Sequence, residues 1–290
     1  MVAWQILVDG FAVSALYALG ATGFTLIFGV SGVLNLSHGA LMVAAAAAAW
    51  AIGDHVGSPT LCALAGIGVS LLLALATYAL VVRPLQRSRA IRDAEREIFV
   101  LTATLLWGIL IQEAIAYLYT SNAKTLRPIV DGVVTVAHVR VPANEIVTAI
   151  ACWVVIGLLW LLVNHTRAGK AILAASMNPR AVTLLGIELG RIYLAVWAIY
   201  GVLAGAAGVL LGMFLGVSSY SVGPLTASAF SIVVLGGLGS VTGSLIAAYV
   251  IGYIETLTAY LVSPAYRFIP ALLLLVLVMY VRPRGILGRR

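Results

Sequence analysis

Nine long apolar runs, separated by polar or glycine-rich intervals, make up most of the chain: Gln5–Val30, Leu34–Ile52, Thr60–Val82, Ile98–Tyr119, Glu145–Val163, Ile192–Val217, Leu225–Leu238, Ser244–Val262 and Phe268–Val281. A run of ~20 apolar residues, coiled as a helix, crosses the ~30 Å hydrocarbon core of a bilayer. The seventh and ninth runs are shorter; at 1.5 Å per residue, about fourteen residues reach only ~21 Å, which predicts half-helices or spans in a thinned region. The runs are continuous rather than alternating, which argues against a transmembrane β-barrel. The pattern therefore predicts an all-α polytopic membrane protein with about 8–9 transmembrane segments, some short or discontinuous, forming a single domain over 1–290.

Two of the uncharged intervals stand out. Ser228–Gly243 begins as an apolar helix and ends in Gly236, Gly237, Gly239 and Gly243 before the next run starts. Broken backbone at membrane depth is tolerated only where protein or a wet cavity surrounds it, and in transporters such breaks line the path. The expectation is a short helix starting at Gly223-Pro224, with Ser228 and Ser231 facing a solute path, and a glycine turn that lets neighbouring helices pack closely. The second interval, Gly29–Gly39, sets Asn35, Ser37 and His38 between strongly apolar flanks. Polar groups at that depth face a cavity or another helix. Two readings stand side by side: a discontinuous segment beside the path, or Asn35 and Ser37 capping the next helix with His38 hydrogen-bonded at an interface. Gly208, Gly212 and Gly216, at four-residue spacing, predict one helix face of close packing.

Charge then orients the chain. Hydrophobic residues make up 62% and charged residues only 9%, against about 25% charged in soluble domains. Thirteen basic residues lie in 83–97 (Arg83, Arg87, Arg89, Arg92, Arg96), in 164–191 (Arg167, Lys170, Arg180, Arg191) and in the tail (Arg282, Arg284, Arg289, Arg290). If the runs alternate in direction, these fall on one face, and Lys124, Arg127, Arg140 and Arg267 fall on the other. Cytoplasmic loops are enriched in Lys and Arg, so the N-terminus is expected outside and the C-terminus inside. That makes 83–97 a cytoplasmic loop, 120–144 an external loop and 164–191 a cytoplasmic segment. The net charge of +7 is then a product of topology rather than a nucleic-acid patch. Met1–Val8 has no Lys or Arg, so the first run reads as a retained span rather than a cleaved signal. Cys62 and Cys152 lie inside apolar runs and read as small buried hydrophobes, with no disulfide framework and no metal spacing.

Three smaller features follow. The β-branched stretch Val133–Val141, ended by Pro142, predicts an external hairpin. Thr166–Ile187 predicts two short helical stretches punctuated by Gly169 and Pro179, with Asn178-Pro179 as cap and first turn and Gly186 as the end. Leu184, Leu185 and Ile187 are apolar residues outside the spans, so this stretch must rest on lipid or dock a partner. The in-span acids Glu113 and Glu255 each lie past the middle of an outward-running segment; they are expected near the outer interface, hydrated or paired, Glu255 for example with Arg267.

The chain has no G-x-x-x-x-G-K-[ST] phosphate loop, no H-E-x-x-H and no G-x-S-x-G, so neither ATP hydrolysis nor another catalytic constellation is legible in it. A stand-alone secondary transporter would want an intramembrane ion site, and only Glu113 and Glu255 are on offer. Four stretches, in order, carry a resemblance: Ala18-Leu19-Gly20 through Leu26-Ile27-Phe28-Gly29 into Leu34-Asn35-Leu36-Ser37-His38-Gly39; Thr166, Gly169, Ala171, Ala174, Asn178, Ala181, Gly186 and Ile187; Phe230–Gly243 with Val-Leu-Gly-Gly-Leu-Gly-Ser; and Arg282-Pro283-Arg284-Gly285-Ile286-Leu287-Gly288. Nearly end to end, the sequence resembles the permease subunits of bacterial high-affinity branched-chain amino acid ABC importers.

The resemblance implies a type II-like importer fold in the bacterial inner membrane, as one half of a heterodimeric permease. It implies a second related permease, two ABC ATPase subunits and a periplasmic solute-binding protein as partners. ATP and Mg would bind the ATPases, and this chain would hold no cofactor and no metal. By the same analogy Thr166, Gly169, Asn178, Ala181, Leu185, Gly186 and Ile187 belong to a coupling segment that docks an ATPase. Members of the resembling family also carry urea, short amides or aromatic acids, so the solute stays open at this level.

Overall fold

Inside hydrocarbon no water can satisfy a backbone N–H or C=O, so an apolar run must form a helix and bond to itself. The computed structural model shows this for every run and describes residues 2–53, 55–88, 92–119, 121–136, 139–282 and 285–287. Of the residues singled out in the sequence, Arg89, His138, Pro283, Arg284, Gly288, Arg289 and Arg290 lie outside the described residues.

Twelve α-helices are described in chain order: α1 (Val2–Ser31), α2 (His38–Gly53), α3 (Pro59–Ala76), α4 (Arg83–Arg87), α5 (Asp93–Leu118), α6 (Ala143–His165), α7 (Arg167–Met177), α8 (Pro179–Leu184), α9 (Leu189–Phe214), α10 (Val222–Gly236), α11 (Val241–Leu261) and α12 (Ile269–Val281). A π-helical stretch, Thr77–Val82, joins α3 to α4, so Pro59–Arg87 is one continuous span. In it the Thr77 hydroxyl donates to the Leu73 carbonyl at 2.7 Å and accepts from Trp107 Nε1 of α5 at 3.0 Å. Short 3₁₀ turns lengthen α10 and α12 at their starts, giving spans Ser219–Gly236 and Pro264–Val281 of 18 residues each. The expected half-helices are thus intermediate in length. Among the described residues, eight helical segments are long and apolar enough to cross a membrane, and α2 is a ninth, shorter apolar helix.

Helices α1, α2 and α9 form the centre. Helix α1 packs on α11 and α9, and α9 packs on α2 and α3. Helices α5 and α12 are peripheral and expose long apolar stripes, Leu105, Leu106, Ile109 and Leu110 on α5 and Leu273, Val276 and Leu277 on α12. In a membrane-spanning bundle such stripes meet lipid or another chain.

Glycines set the closest helix contacts. A Cβ at Gly208 of α9 would overlap the Met42 carbonyl of α2, and one at Gly243 of α11 would overlap the Gly236 carbonyl of α10. Gly212 faces Leu126 and Ala46. Gly216, expected on the same helix face, lies beyond the end of α9 with φ +71°, because the chain turns back there to pair Val217 with Lys124 through two 2.9 Å backbone bonds. It is a turn glycine rather than a helix-packing one.

The loops sort into two ends. At one end, Phe28, Ser31 and Gly32 line one cavity with Gln86, Arg96 and Glu97, Gly29 lies against Gly239, and the tail meets the end of α10. At the other, Asn144 accepts from Ile129 N at 3.1 Å and donates to the Met213 carbonyl at 3.4 Å, and Lys124 Nζ sits 4.6 Å over the Trp50 ring. The expected hairpin is present there: β1 (Val133–Val136) pairs antiparallel with β2 (Val139–Pro142), Val133 opposite Pro142.

Candidate functional site

The second apolar run does not start as a helix where its sequence does. Helix α1 ends at Ser31, Gly32 turns the chain at φ +66°, and α2 begins only at His38. The intervening residues climb back into the bundle. Leu36 N donates to Thr104 Oγ1 at 3.2 Å, and Thr104 lies about 16 Å into α5, counting 1.5 Å per residue. Gly39 N donates to Thr226 Oγ1 at 2.9 Å, about 15 Å from the far end of α10 on the same count. The N-terminus of α2 is therefore internal, and it abuts the N-terminal half of α10: a Cβ at Gly39 would overlap the Val222 carbonyl.

An internal helix N-terminus leaves backbone donors without water, and side chains must accept from them. Asn35 does so first: its Oδ1 accepts from Ser37 N at 3.1 Å and from Ser37 Oγ at 2.7 Å. Its Nδ2 donates to Tyr200 Oη of α9 at 3.0 Å, and that hydroxyl lies 3.0 Å from His38 Nδ1. The His38 ring stacks on Phe24 of α1, centroids 5.2 Å apart and planes at 6°. Asn35, Ser37, His38 and Tyr200 are all fully buried. His38 Nε2 has no hydrogen-bond partner among the described residues. The two sequence readings thus merge: the segment is discontinuous, and the same residues cap it.

A second polar node lies where α10, α11 and α1 meet. Glu255 of α11 is fully buried and accepts from Tyr17 Oη at 2.6 Å and Ser228 Oγ at 2.8 Å; Arg267 Nε stands 3.9 Å from its Oε2. The expected pairing with Arg267 is there, but hydration is not, because the helices close around the carboxylate. Glu113, by contrast, is exposed on the outer flank of α5. Ser231 joins neither node; its hydroxyl donates to the Ala227 carbonyl of its own helix at 2.8 Å. Both serines of α10 point into the bundle, and the face it turns outward bears Gly223, with Tyr220 of the preceding turn 72% exposed.

The glycine turn that follows has a cover. Gly237 (φ +101°) and Gly239 (φ +82°) reverse the chain, and Ser240 Oγ caps α11 by accepting from Gly243 N at 3.2 Å. The last carbonyls of α10 lack helical donors, and the tail supplies them: Ile286 N donates to Leu235 O at 2.8 Å and Leu287 N to Gly236 O at 3.1 Å.

At the same end, α7 and α8 form a projecting pair. Thr166 Oγ1 accepts from Gly169 N at 3.0 Å, and Asn178 Oδ1 accepts from Ala181 N at 3.1 Å with Pro179 in the first turn. Gly169 does not punctuate the stretch, as expected from sequence. It sits inside the first turn of α7, where a Cβ would overlap the Leu162 and Val163 carbonyls. Gly186 (φ +78°) ends α8, with Gly186 N on Thr183 O and Ile187 N on Val182 O. Ile172, Ala175 and Val182 are buried against the bundle, while Met177, Leu184 and Leu185 are 74%, 88% and 77% exposed. The residues that sequence reasoning passed over are the hydroxyls of Tyr17, Thr104, Tyr200 and Thr226, which carry no charge and no spacing signal on their apolar spans.

Residues 6–279 match the family described as "Branched-chain amino acid transport system / permease component". The permease protein LivH of the high-affinity branched-chain amino acid transport system of Escherichia coli K12 is 30% identical, over 98% of this chain and 95% of that one. BraD of Pseudomonas aeruginosa, a permease protein of the same kind of system, is 32% identical over the same shares. The ribose import permease protein RbsC of Escherichia coli K12 is 26% identical over 82% of this chain and 73% of that one. Among solved structures, a chain of PsaBC from Streptococcus pneumoniae, in complex with Fab, shares the fold at a TM-score of 0.52 and 11% identity, covering 96% of this chain and 92% of that chain. Matched along nearly its whole length, the chain belongs to the family of permease components of branched-chain amino acid transport systems.

Proposed function

We propose that this chain is the membrane-spanning subunit of an ATP-driven ABC importer that moves branched-chain or other small amino acids into the cytoplasm by alternating access. It works in the bacterial inner membrane as a translocation subunit rather than an enzyme. Its partners are a second, related permease, two ABC ATPases that hold ATP and Mg, and a periplasmic binding protein. Family membership and the substrates named for LivH and BraD support this reading. So does one structural observation above the others: the exposed apolar residues Leu184 and Leu185 project from the end of the bundle that carries the basic loops. By the positive-inside rule that end faces the cytoplasm, where ATPases are.

In this reading α8 enters a groove of one ATPase and α7 carries the push to α6, α1 and α9, on which it packs. The solute passes along the outward face of α10, around Gly223, with a second permease closing the other side. Asn35, Ser37 and His38 hold the internal N-terminus of α2 against α10, and Ser228, through Glu255, holds α10 against α11. Ser231 keeps to its own helix behind the path. The positive end of the α10 dipole favours a carboxylate-bearing solute.

The test is reconstitution with the partner subunits in liposomes loaded with ATP on the ATPase side. Uptake of labelled leucine, dependent on ATP and on the binding protein, is expected. Flux through this chain without any ATPase, or robust ATPase activity from the chain alone, would refute the proposal. Uptake of urea or a short amide in place of leucine would keep the importer and replace its solute.

A further inference from the structure

A groove about 670 Å³ in volume opens between α1, α6 and α11 at the end opposite α8. Trp4, Leu7, Phe11, Ile150, Trp153 and Tyr253 make it apolar and aromatic. At its head sits Glu145, only 2% exposed, whose Oε1 has no hydrogen-bond partner among the described residues. Its carboxyl group meets that of Asp9 at hydrogen-bond range, and Tyr260 Oη donates to Asp9 Oδ2. Among the described residues no base forms an ion pair with either acid, although Arg140 lies on β2, which packs on α1 and α6. Two carboxyls brought together out of water need a positive charge beside them, or must share a proton.

We propose that this groove binds one phospholipid with an ammonium-bearing headgroup, the ammonium seated on Glu145 with the Asp9 carboxyl behind it, and an acyl chain laid along α6. The chemistry converges from three sides. The acids supply charge, and the faces of Trp and Tyr attract an alkylammonium by cation–π interaction. The place along the bundle fits: Glu145 is in the first turn of α6 and Asp9 in the first third of α1, toward one end of both helices. From Glu145 the groove runs down α6 to Val154, about 13 Å at 1.5 Å per residue, enough for much of one acyl chain. A soluble amine would satisfy the acids and leave the apolar floor empty, so the occupant is a lipid. The inference depends on insertion in a membrane but not on the solute or on the ATPases.

Native mass spectrometry of the full chain in mild detergent, titrated with phosphatidylethanolamine or phosphatidylglycerol of identical acyl chains, tests it. One phosphatidylethanolamine per chain is expected to be retained, about tenfold more strongly than phosphatidylglycerol. Glu145→Gln and Asp9→Asn should each remove that preference and leave phosphatidylglycerol retention unchanged; Asp9→Asn carries the test if the more buried substitution does not fold. Equal retention of the two lipids overturns the proposal, as does a preference that survives both substitutions. Displacement by free ethanolamine at the lipid's own concentration overturns the acyl-chain part. Absence of any retained lipid means that a shared proton, or a basic residue of a partner, occupies the pair, and the proposal fails.

Discussion

The His38 node and the α8 projection are opposites. At the first, Asn35, Ser37 and His38 are fully buried in the middle of a membrane bundle. At the second, Leu184 and Leu185 stand in the open at the end of a helix of six residues. Each inverts the ordinary rule of polar outside and apolar inside. The node is nonetheless nearly self-sufficient, because hydroxyls from α5, α9 and α10 meet its donors. The α8 leucines have no such provision among the described residues. The difference teaches where completion comes from: buried polar groups are completed by neighbouring helices, and exposed apolar groups by another molecule.

The sharpest way to break this comparison is to disturb the packing that both regions need. Gly208→Leu forces a side chain into the Met42 backbone of α2. Overpacking of this kind costs about 1–3 kcal/mol and sometimes more. A loss of folded, detergent-extractable protein is expected by size-exclusion chromatography, whereas Gly223→Ala, in open space, should behave as the parent.

Next in size, Leu185→Asp should leave the isolated permease as stable as the parent and abolish co-purification with its ATPases. Loss of a central interface anchor costs about 2 kcal/mol or more, roughly thirtyfold in affinity. Intact ATPase binding would remove α8 from the interface.

A smaller effect is expected at the node. Tyr200→Phe keeps the ring but strips the hydroxyl shared by Asn35 Nδ2 and His38 Nδ1. A buried donor left unpaired costs about 1–3 kcal/mol, which thermal unfolding in detergent would read, with ATPase binding unchanged. The smallest effect belongs to Ser231→Ala. Its hydroxyl only repeats a bond to its own helix, so a change under about 1 kcal/mol is expected. Ser228→Ala should cost more, since it takes a donor from buried Glu255.

Much of this was legible beforehand because its causes are local. The span limits follow from the length of apolar runs. Asn178-Pro179 and Gly186 bound α8 because a cap, a fixed φ and a left-handed residue act within one turn. The sorting of loops into two ends follows from alternation alone. Gly169 and Gly216 were misjudged for one reason: spacing does not tell a glycine that breaks a helix from one that lets carbonyls approach or turns the chain beyond it.

The sequence by itself determined that this is a helical membrane protein, which segments are helices, which basic loops share an end and which family the chain resembles. Those properties rest on hydrophobic run length, short-range capping and charge, all read within a few residues. Only the tertiary structure decided that α2 starts deep inside the bundle at His38 rather than at Leu34, that Tyr200 completes Asn35 from 165 positions away, that Glu255 is sealed between α1 and α10, and that Ile286 and Leu287 cover the last carbonyls of α10. Those contacts link residues far apart in the chain. The glycine stretch Gly236–Gly243 belongs to both accounts: its composition announces a turn, and its partner, the tail, exists only in three dimensions.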